Sequence, residues 1–171
     1  TDLPVVASGG IVSACGLAKA LTKGASGVQC GTAFLATEES FAHPYHKSRL
    51  AEANADDTVL TDAFVLNWPK GAAVRVIGNS VTAGLQGRYM GHDPDTLPRN
   101  TIAWDDDQPR LRFSTDSPLR TTTGDLEAMA LYAGQGVGGI RDVVPAAQRL
   151  AEIVAEAERL IGAPDTPGMT P

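Results

Sequence analysis

Residues 4–39 read PVVASGGIVSACGLAKALTKGASGVQCGTAFLATEE, and this stretch decides the fold. Val5, Val6 and Ala7 form a short apolar run without alternation, the pattern of a strand buried on both faces in a parallel sheet covered by helices. Ser8-Gly9-Gly10 ends the run. Ser13 then stands as N-cap of a helix that carries Leu17, Ala18, Leu21 and Ala25 on one apolar face, with Gly24 near its C-terminal end. Residues 27–31, GVQCG, make a second short strand a few residues further on. A strand, a helix and a strand in so little chain form a tight βαβ unit, and such crossovers are almost always right-handed and parallel. Each strand ends in glycine: Gly9 and Gly10 come after the first, Gly31 with Thr32 after the second. Glycine lets backbone N–H groups come within hydrogen-bonding distance of a phosphate, and Thr32 adds a hydroxyl. The competing reading of the same residues is a pair of tight turns that hold nothing.

Working outward, Thr37 and Ser40 both invite helix initiation, with Glu38 and Glu39 suited to a first turn. That helix is expected to run to about Ala53, with His43-Pro44 as a break in its early part. Residues 58–61 and 74–77 read as short extended pieces around Trp68-Pro69. Residues 79–117, rich in Gly, Pro, Asp and Arg with weak periodicity, read as an appended loop-rich lobe. Within it, Asp105-Asp106-Asp107 is a solvated acidic turn, because three adjacent carboxylates point in different directions and do not converge on a metal. Residues 125–133, DLEAMALYA, predict a helix from propensity. Four glycines in the following six residues, GQGVGG, imply a bend or a close backbone approach. A last helix over about 145–161 presents Leu150, Ile153, Val154, Ala157, Leu160 and Ile161 on one face. Residues 163–171, APDTPGMTP, are expected to be disordered. The division expected is therefore 1–54 for the βα units, 55–144 for the appended lobe, 145–162 for a helix packing back, and 163–171 for the tail.

The composition sets limits. With 171 residues, 43% of them hydrophobic and 20% charged, the chain can build one domain with a sizeable core. A net charge of -6 argues against a nucleic-acid surface, and the uncharged run from Leu3 to Ala18 is too rich in Gly, Ser and Ala for a membrane span. Cys15 and Cys30 lack metal-type spacing and read as reduced, buried thiols of a cytoplasmic protein. The opening Thr1-Asp2-Leu3-Pro4 runs almost at once into a core strand, from which an N-terminal portion is expected to precede these residues.

PVVASGGI, followed by GASGVQCGTAFLATEES and later by YAGQGVGGI ahead of a terminal amphipathic helix, resembles the C-terminal part of the nitronate monooxygenase family, formerly called 2-nitropropane dioxygenases. The resemblance implies an α/β fold: the last two βα units of a (β/α)8 TIM barrel with an appended loop-rich and helical lobe. It implies FMN as cofactor, with Gly9, Gly10, Gln29, Cys30, Gly31 and Thr32 lining its phosphate and flavin. Cys30 stands where many members of the family have Met, a departure of little weight if the position contributes backbone. The partners implied are a small-molecule substrate, a nitronate or related compound, and molecular oxygen, and a homo-oligomer stays open. Tyr132 and Gln135 are expected to fold back over the flavin and line the substrate pocket; the alternative is a half-buried aromatic at a helix end and a cap. His43 and His46 read as structural or surface residues, and His92, in the loop-rich lobe, is the histidine placed to approach an active site. The catalytic base is expected in the part of the barrel that precedes this chain. The rival activity is a flavin-dependent enoyl-acyl carrier protein reductase, which resembles the family through the same strand ends. A non-catalytic flavin- or phosphate-binding module is the rival from another class.

Overall fold

The computed structural model describes residues 2–162, a mixed α/β chain. β1 (Val6–Ser8) and β2 (Gly27–Gln29) pair in parallel, with Val6 opposite Gly27 and Ser8 opposite Gln29. The crossover between them is α1 (Ala14–Thr22), which opens where the Ser13 hydroxyl accepts the Gly16 N–H at 3.3 Å. It closes at Gly24, where φ is +93 and the N–H reaches the Leu21 carbonyl. That is the left-handed position glycine fills without strain at a helix end. The apolar run of β1 was expected to be buried on both faces, yet Val5 and Val6 are 48% and 59% exposed. Two strands have little sheet to share, and this pair leaves the outer side chains of β1 uncovered. Cys15, also expected to be buried, is exposed in the first turn of α1.

After β2 a single turn, α2 (Thr32–Leu35), leads into residues 37–40, which do not start a helix. Lys47 explains why: its Nζ donates to the carbonyls of Thr37, Glu38 and Ser40 at 2.6, 3.2 and 2.8 Å, and Arg120 donates to two of the same carbonyls. Carbonyls gathered around two cations cannot accept the N–H groups of a following turn. The helix α3 (Pro44–Glu52) begins instead at His43, whose Nδ1 accepts the Tyr45 N–H at 3.0 Å. Pro44 then occupies the first helical position, where its missing N–H costs nothing. The expected break is the true start.

β3 (Thr58–Thr61) and β4 (Val74–Ile77), expected as short extended pieces, are strands and pair antiparallel with each other. Residues 125–133 are not the helix their propensity predicts. Their backbone lies beside β4: the Ile77 N–H donates to the Leu131 carbonyl at 2.8 Å, the Ala133 N–H donates to the Arg75 carbonyl at 3.2 Å, and Tyr132 bridges Val76. Ala128 and Ala130 enter one buried cluster with Phe64, Val74 and Val76, and Tyr132 packs against it. Leu131 and Ala133 enter another with Val12, Leu50, Ile77 and Val137. From Ala130 to Ala133 alternate residues therefore face two different cores, the period of two of an extended chain, while residues 127–129 form a turn. Burial on both sides outweighs a propensity of a few tenths of a kcal/mol per residue.

The region read as loop-rich carries regular structure as well. α4 (Ser80–Gly84) is capped by Asn79, and β5 (Thr101–Asp105) pairs antiparallel with β6 (Gln108–Leu111) and β7 (Thr122–Gly124). Its strands are three to five residues long, too short to show a period, and their outer face mixes Trp104 and Pro109 with Thr123. The three aspartates do fall at the β5–β6 turn, where Asp106 has φ +50, but Asp105 is paired with Arg110 at 3.0 Å. α5 (Ala146–Gly162) starts where Glu39 accepts the Ala146 N–H at 2.8 Å. It packs on α1 through Ala157 against Ala14 and Ala18, with Ile153 reaching the main core. Of the face expected to be buried, Leu150, Val154, Leu160 and Ile161 are exposed. The inward stripe is the narrow row Arg149, Ile153 and Ala157, and small residues on both helices bring the axes close. The tail, 163–171, lies outside the described residues.

Candidate functional site

The βα geometry brings both glycine turns to one end of the parallel pair. Gly9 and Gly10 follow β1 with φ of +96 and +70, conformations that a side chain would strain. Cys30 and Gly31 follow β2, leading directly into Thr32. Nothing lies within 4 Å of where a Cβ would stand on Gly9 or on Gly31, so both turns face open space. Gln29 is exposed, and Cys30 is partly buried, with burial pushing its thiol pKa up. A raised thiol pKa makes Cys30 a poor nucleophile near neutral pH and suits a lining residue.

The glycine-rich segment closes over these turns. Residues Gln135–Gly139 form a 3-10 turn introduced by Gly134, whose N–H donates to the Thr32 hydroxyl oxygen at 2.9 Å. The Thr32 hydroxyl proton remains free to donate. An added Cβ on Gly134 would lie 3.5 Å from the Gly10 nitrogen, and one on Gly136 would run into the Gly10 carbonyl. Two backbones thus meet at van der Waals distance, the close approach that the glycine cluster implied. Tyr132 lies on the extended segment rather than at a helix end, and lines a cavity of about 290 Å³ together with Gly31, Thr32, Leu35 and Gly134. Its hydroxyl donates to the Thr115 carbonyl at 2.8 Å. Burial, helped by the Asp116 charge, pushes its pKa up to about 12, so the phenol stays protonated near neutral pH. Gln135 is exposed at the start of the 3-10 turn and is absent from that cavity's wall. Arg75, from β4, is a wall residue that sequence reasoning missed; only the pairing of residues 131–133 with β4 carries it there.

None of the three histidines lines this cavity. His43 caps α3. His46 is fully buried, with Nε2 against the Tyr132 carbonyl at 3.0 Å and Nδ1 against the Ser117 hydroxyl at 3.2 Å. Burial, with the Arg49 charge adding to it, lowers its pKa to about 4 against the pull of the Tyr132 carbonyl. A neutral ring with both nitrogens engaged is a strut. His92 is held through Nδ1 by the buried Asp62 at 2.6 Å and borders a separate cavity beside Arg88 and Met90. Among the described residues no group of His, Cys, Asp or Glu is arranged to hold a metal, and no helix is long and apolar enough to cross a membrane.

Fold and site together define an α/β chain with a glycine-walled pocket at the ends of parallel strands. The chain belongs to the nitronate monooxygenase family, whose family model matches residues 1–156. It is 33% identical over 162 residues to a probable nitronate monooxygenase of Bacillus subtilis, covering 91% of this chain and 40% of that protein. A probable nitronate monooxygenase of Staphylococcus haemolyticus is 38% identical over 136 residues, covering 78% of this chain and 33% of the relative. The crystal structure of nitroalkane oxidase from Streptomyces ansochromogenes superposes with a TM-score of 0.66 at 34% identity, over 93% of this chain and 40% of that one. FabK from Thermotoga maritima matches with a TM-score of 0.64 at 24% identity, over 94% of this chain and 46% of that one, a likeness of fold. The chain therefore spans between 33% and 46% of the length of these proteins.

Proposed function

We propose that the chain is the phosphate-holding part of an FMN-dependent oxidoreductase that converts alkyl nitronates and O2 into a carbonyl compound and nitrite. In this reading β1, α1, β2 and α2 are the last two βα units of a (β/α)8 barrel, and family membership supports it. The observation that carries it is the juxtaposition of the Gly9-Gly10 and Gly31-Thr32 turns, open to space at Gly9 and Gly31 and bridged by Gly134, where a Cβ would lie 3.4 Å from the Thr32 hydroxyl oxygen and 3.5 Å from the Gly10 nitrogen. That is a cradle a Cβ would fill, and it fits a phosphate.

Gly9, Gly10, Gly31 and Thr32 hold the phosphate through backbone N–H groups and the Thr32 hydroxyl proton, while Gln29 and Cys30 border the ring. When bound, the flavin supplies the redox chemistry between nitronate and oxygen. Tyr132 and Gln135 belong to the substrate side, Tyr132 as a neutral apolar wall. The base that takes the substrate proton is assigned outside these residues, because His43, His46 and His92 are each committed elsewhere. A cytoplasmic location belongs to the same reading, supported by the free thiols Cys15 and Cys30.

The test is made on the full-length protein. FMN is titrated and followed by its absorbance and by quenching of its fluorescence; nitrite release from propane-2-nitronate under O2 is then measured beside NADPH oxidation with an enoyl thioester. Uptake of FMN with nitrite release is expected. NADPH oxidation without nitrite would assign the reductase, and uptake without either reaction would assign a non-catalytic flavin module. Protein that stays colourless and takes up no FMN overturns the reading.

A further inference from the structure

We propose that Arg75 is the counter-charge of the cradle: its guanidinium completes a site for a phosphate monoester in the cavity walled by Gly31, Thr32 and Gly134. The inference rests on the reading above and adds a charged residue from the β3–β4 pair to a site otherwise built of backbone and the Thr32 hydroxyl.

Among the described residues, Arg75 is the only charged one in the wall of that cavity; its companions from the same side of the pocket are Tyr132, neutral and bonded to the Thr115 carbonyl, and Ala133. The guanidinium is partly buried and carries five N–H donors, of which one meets a protein acceptor, the Thr58 hydroxyl at 3.2 Å. Among the described residues it has no carboxylate within ion-pair distance. Arg149, more deeply buried and in the wall of another cavity, is by contrast neutralised by Asp142 at 2.5 Å and reaches Glu152. A charge withdrawn from water is ordinarily paired. Arg75 is left with most of its fork unspent, and the residue shares the cavity wall with Gly31, Thr32 and apolar Leu35. Backbone N–H groups alone offer dipoles, whereas a phosphate monoester brings nearly two negative charges. The planar fork matches two of its oxygens.

The position is fixed from two sides. The backbone of Arg75 is paired with Leu60 in β3, and its carbonyl accepts the Ala133 N–H at 3.2 Å. Ala133 directly precedes Gly134, which is tied to Thr32. Arg75 and the cradle are thus joined by one main-chain hydrogen bond and one from the Gly134 N–H to the Thr32 hydroxyl.

The test compares FMN with riboflavin, which shares the ring and lacks the phosphate, on full-length wild-type protein and R75Q. Inorganic phosphate is added as a third probe, read by thermal shift. R75Q should weaken FMN about 10- to 100-fold, the range for losing charge-assisted hydrogen bonds, leave riboflavin affinity unchanged, and abolish the phosphate-induced stabilisation. Unchanged riboflavin affinity also shows that R75Q is folded. R75K should recover part of the FMN affinity, because it restores charge but not the fork. If R75Q binds FMN as tightly as wild type, the proposal fails while the flavin reading stands. If wild type takes up neither flavin but gains stability from phosphate in an Arg75-dependent manner, the anion site stands and the flavin reading falls. If R75Q loses FMN and riboflavin equally, or if neither flavin nor phosphate acts on wild type, the assignment of Arg75 is overturned.

Discussion

Gly136 is the point at which the closing segment touches the first glycine turn. Adding a methyl group there, as in Gly136→Ala, would drive a Cβ into the Gly10 carbonyl and bring it within 2.9 Å of the Gly10 carbonyl carbon and 3.1 Å of Val12 Cγ1. Carbon atoms rest at about 3.5–4.0 Å, so one backbone has to retreat by at least about 0.6 Å. Neither is a flexible side chain, and the strain falls in the range for overpacking, about 1–3 kcal/mol. For a chain of this size each kcal/mol moves Tm by about 2–4 °C, which gives a fall of about 2–12 °C. Gly138→Ala is the matched control, two residues along the same 3-10 turn. Its Cβ would meet nothing closer than 3.7 Å. Removing a glycine there leaves stability unchanged or raises it by up to about 1 kcal/mol. Thermal and urea unfolding of both variants, followed by circular dichroism, measure the difference. FMN titration should show weaker binding for Gly136→Ala only, since Gly134 would be levered off Thr32. Equal stability of the two variants would refute the claim that the close approach of these backbones shapes the site.

The buried His46 makes a pH prediction. Its pKa is about 4 in the folded protein against about 6.5 unfolded, so between those values the unfolded chain binds more protons and stability falls as pH drops. The contribution is intact above pH 6.5 and lost progressively towards pH 4, amounting to roughly 3 kcal/mol; a urea midpoint that is flat across that window would contradict it. Asn79 caps α4 through Oδ1, which accepts the Val81 and Thr82 N–H groups, and its Nδ2 donates to the Glu127 and Met129 carbonyls. Asn79→Ala should cost about 2–3 kcal/mol, a lost cap plus orphaned buried carbonyls, and Asn79→Asp, which keeps the cap alone, should fall between. Denaturant titration ranks the three proteins, and Asn79→Asp at or below Asn79→Ala would show that the cap alone contributes nothing and refute the predicted order.

Local chemistry alone sets the events at residues 4–35. Ser13, Gly24 and Gly9-Gly10 each fix a backbone state through their own chemistry, so the βαβ unit and its first glycine turn were legible without any partner. The same holds for β3 and β4 as extended pieces, and for the close backbone approach at Gly134 to Gly139. What the sequence misjudged lies where distant residues compete for the same groups. Lys47 and Arg120 take the carbonyls of residues 37–40 and move a helix start to His43. Two cores claim alternate residues from Ala130 to Ala133 and hold a helix-forming string extended beside β4. Only that second event puts Tyr132 and Arg75 in the wall of the pocket beside Thr32, because a hydrogen bond between residues 58 positions apart in the chain, Ala133 to Arg75, has no signature in either segment alone. The glycines of the cradle are written in the sequence by their own conformational needs; the charge beside them is placed by tertiary pairing.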